Sequence, residues 1–336
     1  LMDATSGSIT IIAASVFAVV MILFLAVAAG LATWLVRPVT ALAAGMERVA
    51  SGDLSVRLPA LRRLDEFDAL ARRFNRMAAG LQERESMHRS LTLASEVQRQ
   101  LLPARFPRVE GYEFCQALEY CDQTGGDYLD CFALRTPEGE RTPARLGLAV
   151  GDVVGHGVAA ALLMTYTRAL LRTGADRERS DPGAVLRDVD AHLTLQTTGA
   201  AFVTLFYAVL DPERHTLAWA SAGHDPGFVV RASGGVERLP STRPPLGVGL
   251  DDGDTAAPVR LEPGDLLFVA TDGLAQSRDT DGRFLGLDRV ERLLREHGTR
   301  PLPELRDVVL RAAREHRGTL PQEDDLAFLA VRRTHA

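Results

Sequence analysis

The alternation of hydrophobic and polar positions divides the chain into three regimes. From Ile9 to Val36 no charged residue occurs in 28 positions, whereas about 20 apolar residues suffice to cross a bilayer. The pattern predicts a transmembrane helix over 9–36, preceded by a short extracytoplasmic stretch, 1–8. A signal peptide fits less well: the run exceeds an h-region, follows the acidic Asp3, and reaches Arg37 without a cleavage site. Trp34 and Arg37 set the C-terminal flank at the cytoplasmic face. Because the chain begins at Leu1, an earlier helix and an extracytoplasmic sensor are expected to precede it.

Past this run the period becomes that of helices with a single apolar seam. Pro38 suits a helix start, and Val39, Leu42, Met46 and Val49 recur three or four residues apart. Ser51-Gly52-Asp53 breaks the pattern, and Leu54, Val56 and Leu58 mark an irregular connector. A second seam, Phe67, Leu70, Phe74, Met77 and Leu81, has heptad spacing. Two such helices cannot bury their seams alone, whereas a second copy would complete a parallel four-helix bundle. With the proline after the membrane and the acidic pair Asp65-Glu66 opening the second helix, residues 37–88 resemble a HAMP domain, the signal relay of bacterial transmembrane receptors. Asp68 stands where that family usually has glycine. The resemblance implies a homodimer. A linker helix, 89–105, follows, its Leu91, Leu93, Val97 and Leu101 off any regular seam and Pro103 its stop.

The third regime is one of short apolar runs bounded by Gly, Pro and Asp. Strands are expected at Leu146–Val150, Phe202–Leu210, Leu217–Ala222, Gly227–Val230, Leu266–Ala270 and Leu326–Val331. Helices are expected at Val158–Leu171, Pro182–Thr194, Leu287–Glu296 and Leu302–Arg317. This mixture predicts one α+β domain over 106–333, with sheets covered by helices.

Composition narrows the chemistry. The net charge of -6 comes without a basic block, which argues against nucleic acid as a partner. All 38 basic residues are arginine, so chemistry that needs a phosphate-binding or Schiff-base lysine is excluded. Cys115, Cys121 and Cys131 have no CxxC spacing and no histidine cluster beside them, and read as reduced structural thiols.

What remains is a set of carboxylates in one repeated context. "TGGDYLD" puts Asp127 and Asp130 beside paired glycines, "AVGDVVGHG" puts Asp152 at a strand end, "LLFVATDGLAQ" puts Asp272 after an apolar run, and "QEDDLAFLAV" puts Asp324 and Asp325 before the last strand. Carboxylates that converge at sheet edges need a counter-charge. A hard divalent cation supplies it, and oxygen donors without thiol or imidazole clusters favour Mg²⁺ or Mn²⁺ over zinc. Glycines beside the ligands let main-chain carbonyls such as that of Val153 approach. Two such ions about 4 Å apart activate water for in-line attack on a phosphoryl group.

In order, "GGDYLD", "GDVVGHG", "SAGHDPGFV", "PPLGVG", "LEPGDLLFVATDGLAQ", "RFLG" and "EDDLAFLAV" resemble the SpoIIE and RsbU branch of the PPM metal-dependent protein serine/threonine phosphatases. "ASEVQRQLLP" is similar to the regulatory helix preceding that domain. The resemblance implies a PPM-type β-sandwich flanked by helices. It also implies Asp127, Asp152, Asp272 and Asp324 as the catalytic, metal-coordinating carboxylates, the Val153 carbonyl as a further ligand, and two Mn²⁺ or Mg²⁺ ions. Asp130 either organises the surroundings of the ions or caps its turn; His156 and His224 read as loop-shaping residues in preference to proton donors. Gln276 stands where the family commonly has glutamate, and Gly151 where alanine is usual. The implied substrate is a phosphorylated STAS-domain anti-anti-sigma factor, dephosphorylated by a plasma-membrane protein with its phosphatase domain in the cytoplasm. Two other readings stand beside it: a catalytically silent partner-binding module, and a HAMP-linked histidine kinase using His88, for which no nucleotide-binding glycine pattern follows.

Overall fold

The computed structural model describes residues 2–59, 66–103, 106–134, 145–178, 181–197, 201–250, 253 and 255–334. It divides into two compact units, 1–90 and 91–336.

In the first unit, helix α1 (Met2–Leu31) runs through a π-helical turn, Ala32–Val36, directly into α2 (Arg37–Ala50). The stretch Ala14–Ala50 is long and apolar enough to cross a membrane. A break ahead of Pro38 is therefore absent. The wide turn relieves the clash of a proline ring with the carbonyl four residues back, so the helix continues. Helix α3 (Glu66–Leu101) is likewise uninterrupted, so the expected boundary between seam and linker helix at 88/89 is not marked by any break. Asp65 of the expected acidic pair, and Ala104 and Arg105 of the linker, lie outside the described residues.

Phe74 and Ala78 of α3 pack with Val56 of the connector, against Leu42, Val49 and Leu58. The connector is strapped down by Asn75, whose Oδ1 accepts from the Leu58 N–H at 2.8 Å and whose Nδ2 donates to the Leu58 carbonyl at 2.8 Å. Gly45 sits where a Cβ would come within 3.2 Å of both Leu58 and Phe74. Asp68, in the place of the usual glycine, is buried and paired with Arg72 one turn on. The other seam residues, Val39, Met46, Leu70, Met77 and Leu81, remain exposed.

The second unit is a sandwich of two five-stranded antiparallel sheets. One has the order β1 (Tyr112–Glu119), β10 (Leu326–Arg333), β9 (Leu266–Ala270), β6 (Gly227–Val230), β7 (Val236–Leu239). The other runs β2 (Tyr128–Ala133), β3 (Leu146–Val153), β4 (Val203–Asp211), β5 (Thr216–Ala222), β8 (Val259–Arg260). Leu148, Val150, Phe206 and Trp219 of the second sheet meet Val229, Val269, Leu329 and Val331 of the first in the central core. The outer face of the second sheet is covered by α4 (Val158–Glu178) and α5 (Pro182–Gln196), through Met164, Leu171, Val185 and Val189. The outer face of the first is covered by α7 (Leu287–His297) and α8 (Leu302–Arg317), through Leu294, Leu305 and Val309. Strands covered on both faces read as unbroken apolar runs, which is why β3, β4, β9 and β10 are legible in the sequence. β1, β2, β7 and β8 are additions to the expected strands: all four are sheet edges, and the apolar run of β2 is also broken by Asp130.

Candidate functional site

The site forms where strand ends from both sheets meet. β3 carries Asp152 at its end and turns through Gly155 and Gly157, at φ 87° and 80°, a left-handed backbone that favours glycine. Opposite it, β9 ends in Thr271, followed by the single-turn helix α6 (Asp272–Ala275). A Cβ on Gly273 would lie 1.8 Å from the Asp325 carbonyl oxygen, so the Asp-Gly pair lets α6 touch the start of β10.

Asp127 precedes β2 and is fully buried. Its Oδ2 accepts the Thr271 hydroxyl at 2.8 Å, and its carboxyl is hydrogen-bonded to that of Asp152. The backbone N–H of Thr271 donates to the Ala327 carbonyl at 2.9 Å, tying β9, β10 and Asp127 together. Asp325, 2 % exposed, accepts the N–H groups of Cys121 and Gly126, each at 2.9 Å, and so fixes the glycine loop. Asp324 accepts the Asp325 N–H at 2.8 Å and is exposed. Gln276 donates to Asp272 Oδ2 at 2.7 Å. From the end of α3, buried Gln98 brackets one residue: Nε2 donates to the Gly125 carbonyl at 2.6 Å and Oε1 accepts the Gly125 N–H at 3.3 Å. Thr271, Asp325, Gln276 and Gln98 are positioning residues: motif reading missed Thr271 and Gln98, and it marked Asp325 and Gln276 without giving them this role. The signals were the Asp324-Asp325 doublet and the departure from glutamate at Gln276.

Electrostatics set these carboxyls apart. Burial first, then the charges of Asp152 and Asp325, hold Asp127 well above the usual carboxylate range. Burial, then Asp272, Asp324 and Asp325, push Asp152 up to about 7. Burial, then Asp324 and Asp225, push Asp272 up to about 6, and Asp324 is raised chiefly by burial. Among the described residues no arginine pairs with these four, and exposed His156 acts on Asp324. Asp225, itself raised by burial, is a further carboxylate beside Asp272 that sequence reasoning passed over.

The donor set fits hard divalent cations: carboxylates and carbonyls only, with a charge deficit that cations would fill. Gly126 makes room for this, since a Cβ there would lie 2.7 Å from the Val153 carbonyl oxygen and 3.3 Å from that of Gly155. Among the described residues no three acidic, His or Cys side chains are already closed into a cluster that could hold an ion.

The remaining candidates fall elsewhere. Asp130, fully buried, is held by Arg172 through two 2.7 Å hydrogen bonds, by Arg168 at 3.5 Å, and by the Tyr128 hydroxyl at 2.8 Å. It is a structural ion pair and does not join the site. His224 is buried, with Nδ1 2.9 Å from the Asp225 carbonyl, and burial pulls it down to about 4. Its motif packs on "PPLGVG": Gly223, at φ 61°, would put a Cβ 2.3 Å from Pro245.

A family model described as stage II sporulation protein E (SpoIIE) matches residues 142–334, and one for the HAMP domain matches 30–83. The chain belongs to the SpoIIE family. Protein IcfG of Synechocystis sp. is 25% identical to this SpoIIE-family chain over 332 residues, covering 88% of the chain and 51% of IcfG. Phosphoserine phosphatase RsbU of Bacillus subtilis is 27% identical over 212 residues, covering 62% of the chain and 59% of RsbU. The chain thus spans about half the length of the curated relatives it matches. Among solved structures, the SiaA-PP2C domain of Pseudomonas aeruginosa superimposes with a TM-score of 0.63 at 27% identity, over 74% of this chain and 97% of that one. The RsbU and RsbW domains of Rv1364c from Mycobacterium tuberculosis give 0.59 at 27% identity, over 69% and 63%. The PP2C-like α+β sandwich of the SpoIIE domain and the HAMP domain before it are both as the sequence implies.

Proposed function

We propose that this protein is a membrane-anchored, signal-regulated, metal-dependent protein serine/threonine phosphatase acting on a phosphorylated STAS-domain partner. The observation that carries the reading is the convergence of Asp127, Asp152, Asp272 and Asp324 with no arginine paired to them among the described residues, within a SpoIIE-family domain. These four carboxylates and the Val153 carbonyl are the groups that would hold two Mn²⁺ or Mg²⁺ ions. Bound there, the ions would supply Lewis-acid polarisation of the phosphoryl oxygens and an activated water. Thr271 holds Asp127 and Gln276 holds Asp272 in fixed rotamers, so that little reorganisation is left for the reaction. Asp325 and Gln98 keep Gly125 and Gly126 pressed against the Val153 carbonyl. RsbU is named a phosphoserine phosphatase, which favours this chemistry over a silent binding module.

The apolar helix would anchor the chain, with the phosphatase domain on the cytoplasmic side. The exposed HAMP seam residues would be covered by a second copy. Gln98 gives the end of α3 a grip on the glycine loop, and through it a route by which a signal reaches the site. The test is phosphate release from a phosphorylated STAS protein by the full chain in detergent micelles, with Mn²⁺, with Mg²⁺ and with a chelator. Cation-dependent release is expected. Stoichiometric capture of the partner without release would establish the silent module instead.

A further inference from the structure

A second cleft opens beside the carboxylates, and nothing in the proposed chemistry uses it. Its volume is about 180 Å³, and Gly273, Gln276, Arg278, Phe284, Arg317 and Asp324 are among the residues that line it. It therefore adjoins the reacting centre without belonging to it. Its two guanidinium groups are differently employed. Arg278 lies over the Phe284 ring at 4.4 Å and pairs with Glu323 at 3.4 Å. Arg317, at the end of α8, is paired with no carboxylate among the described residues. Its Nη1 makes one long contact, 3.4 Å, to Gln322 Oε1, and its Nε is shielded from solvent with no partner at all.

An arginine that lines a cleft with no carboxylate partner among the described residues carries an unbalanced guanidinium suited to a carboxylate. The walls of the cleft supply the apolar part of such a ligand: Phe284 is 48 % exposed, and Leu320 and Pro321 line the same space. Gln322 connects the two regions, donating from Nε2 to the Asp324 and Glu119 carbonyls, each at 2.8 Å.

We propose that this cleft is a recognition subsite for the polypeptide next to the phosphoserine, and that it takes an acidic side chain onto Arg317. Building on the phosphatase reading, it narrows the substrate class to phosphoserine in an acidic segment. Phe284 supports the aliphatic part of that segment. The guanidinium of Arg317 turns away a basic neighbour, and Glu323, engaged by Arg278, is kept from competing for Arg317.

The test compares the full chain in micelles with Arg317→Gln and Arg317→Glu on four substrates: phosphoserine peptides with acidic, neutral or basic flanks, and p-nitrophenyl phosphate, too small to reach the cleft. The parent should favour the acidic peptide over the neutral one by about tenfold in kcat/KM. Arg317→Gln should abolish that preference through KM with kcat unchanged, Arg317→Glu should favour the basic peptide, and p-nitrophenyl phosphate should be hydrolysed equally by all three. A preference that survives Arg317→Gln, or an equal loss on p-nitrophenyl phosphate, overturns the proposal. If the parent hydrolyses none of the four with either cation, the phosphatase reading fails. Fluorescence anisotropy of the labelled acidic peptide then decides the cleft: weaker binding by Arg317→Gln supports it, and equal binding overturns it.

Discussion

Asp127 and Asp130 lie three residues apart, both are wholly buried, and they have opposite fates. Asp130 is enclosed by Arg172, Arg168 and the Tyr128 hydroxyl, so its charge is balanced from within the fold. Asp127 is met by Asp152, Asp325 and a single hydroxyl, and its charge is not balanced. A buried charge that the fold neutralises is architecture; one left in deficit is a request for a ligand. The difference rests on α4, which points Arg168 and Arg172 at one aspartate and keeps both away from the other.

The sharpest way to break this contrast is to neutralise each kind of carboxylate in turn. Asp152→Asn or Asp272→Asn should lower cation-dependent phosphate release by at least about a thousandfold, while the urea midpoint stays put or rises, because a repulsion is removed. Asp130→Asn should do the reverse. It strands Arg172 and should cost about 3 kcal/mol in unfolding free energy, with activity tracking the folded fraction. Full turnover in Asp152→Asn would end the two-ion reading.

Titration sharpens the contrast further. Asp152 and Asp272 have folded values of about 7 and about 6, above the ordinary 3.8, so the folded state binds more protons than the unfolded one between about pH 4 and 7. Stability without added cation should therefore fall as pH rises through that window. Mn²⁺ should reverse the fall, because an ion replaces the protons. Thermal unfolding at pH 5 and pH 8, with and without chelator, measures this. A chelated protein more stable at pH 8 would show that the carboxylates are not in deficit.

Smaller effects belong to the residues that aim the carboxylates. Gln276→Ala frees Asp272 and should lower kcat by about tenfold with little change in stability, one neutral hydrogen bond being worth about 1 kcal/mol. His156→Ala, at an exposed turn, should lower turnover by less than that. A complete loss in His156→Ala with cation binding intact would make that histidine a catalytic residue.

The sandwich was readable because its central strands are covered on both faces and spell unbroken apolar runs, as in Leu266–Ala270. β1 was hidden because half-buried edge positions such as Gln116 and Glu119 break the pattern. The four expected carboxylates could be named because their motifs occur in the order of the SpoIIE branch; three of them stand beside glycine, and Asp324 was marked by that order alone. Gln98 could not: it lies in a helix whose seam offers no marker, and its partner is a backbone unit 27 residues later. Asp130 could not be assigned from its motif either, since the arginines that claim it come one helix later, at positions 168 and 172.

The placement of β10 has a consequence for how the domain is made. This strand, last in chain order, fills the slot between β1 and β9, pairing with Tyr112–Glu119 on one side and Leu266–Ala270 on the other. During synthesis, both neighbours must wait with open edges until residues 324–333 leave the ribosome. Until then Thr271 has no Ala327 to bind, and the glycine loop has no Asp325. A partly translated chain is thus unarmed until this strand arrives.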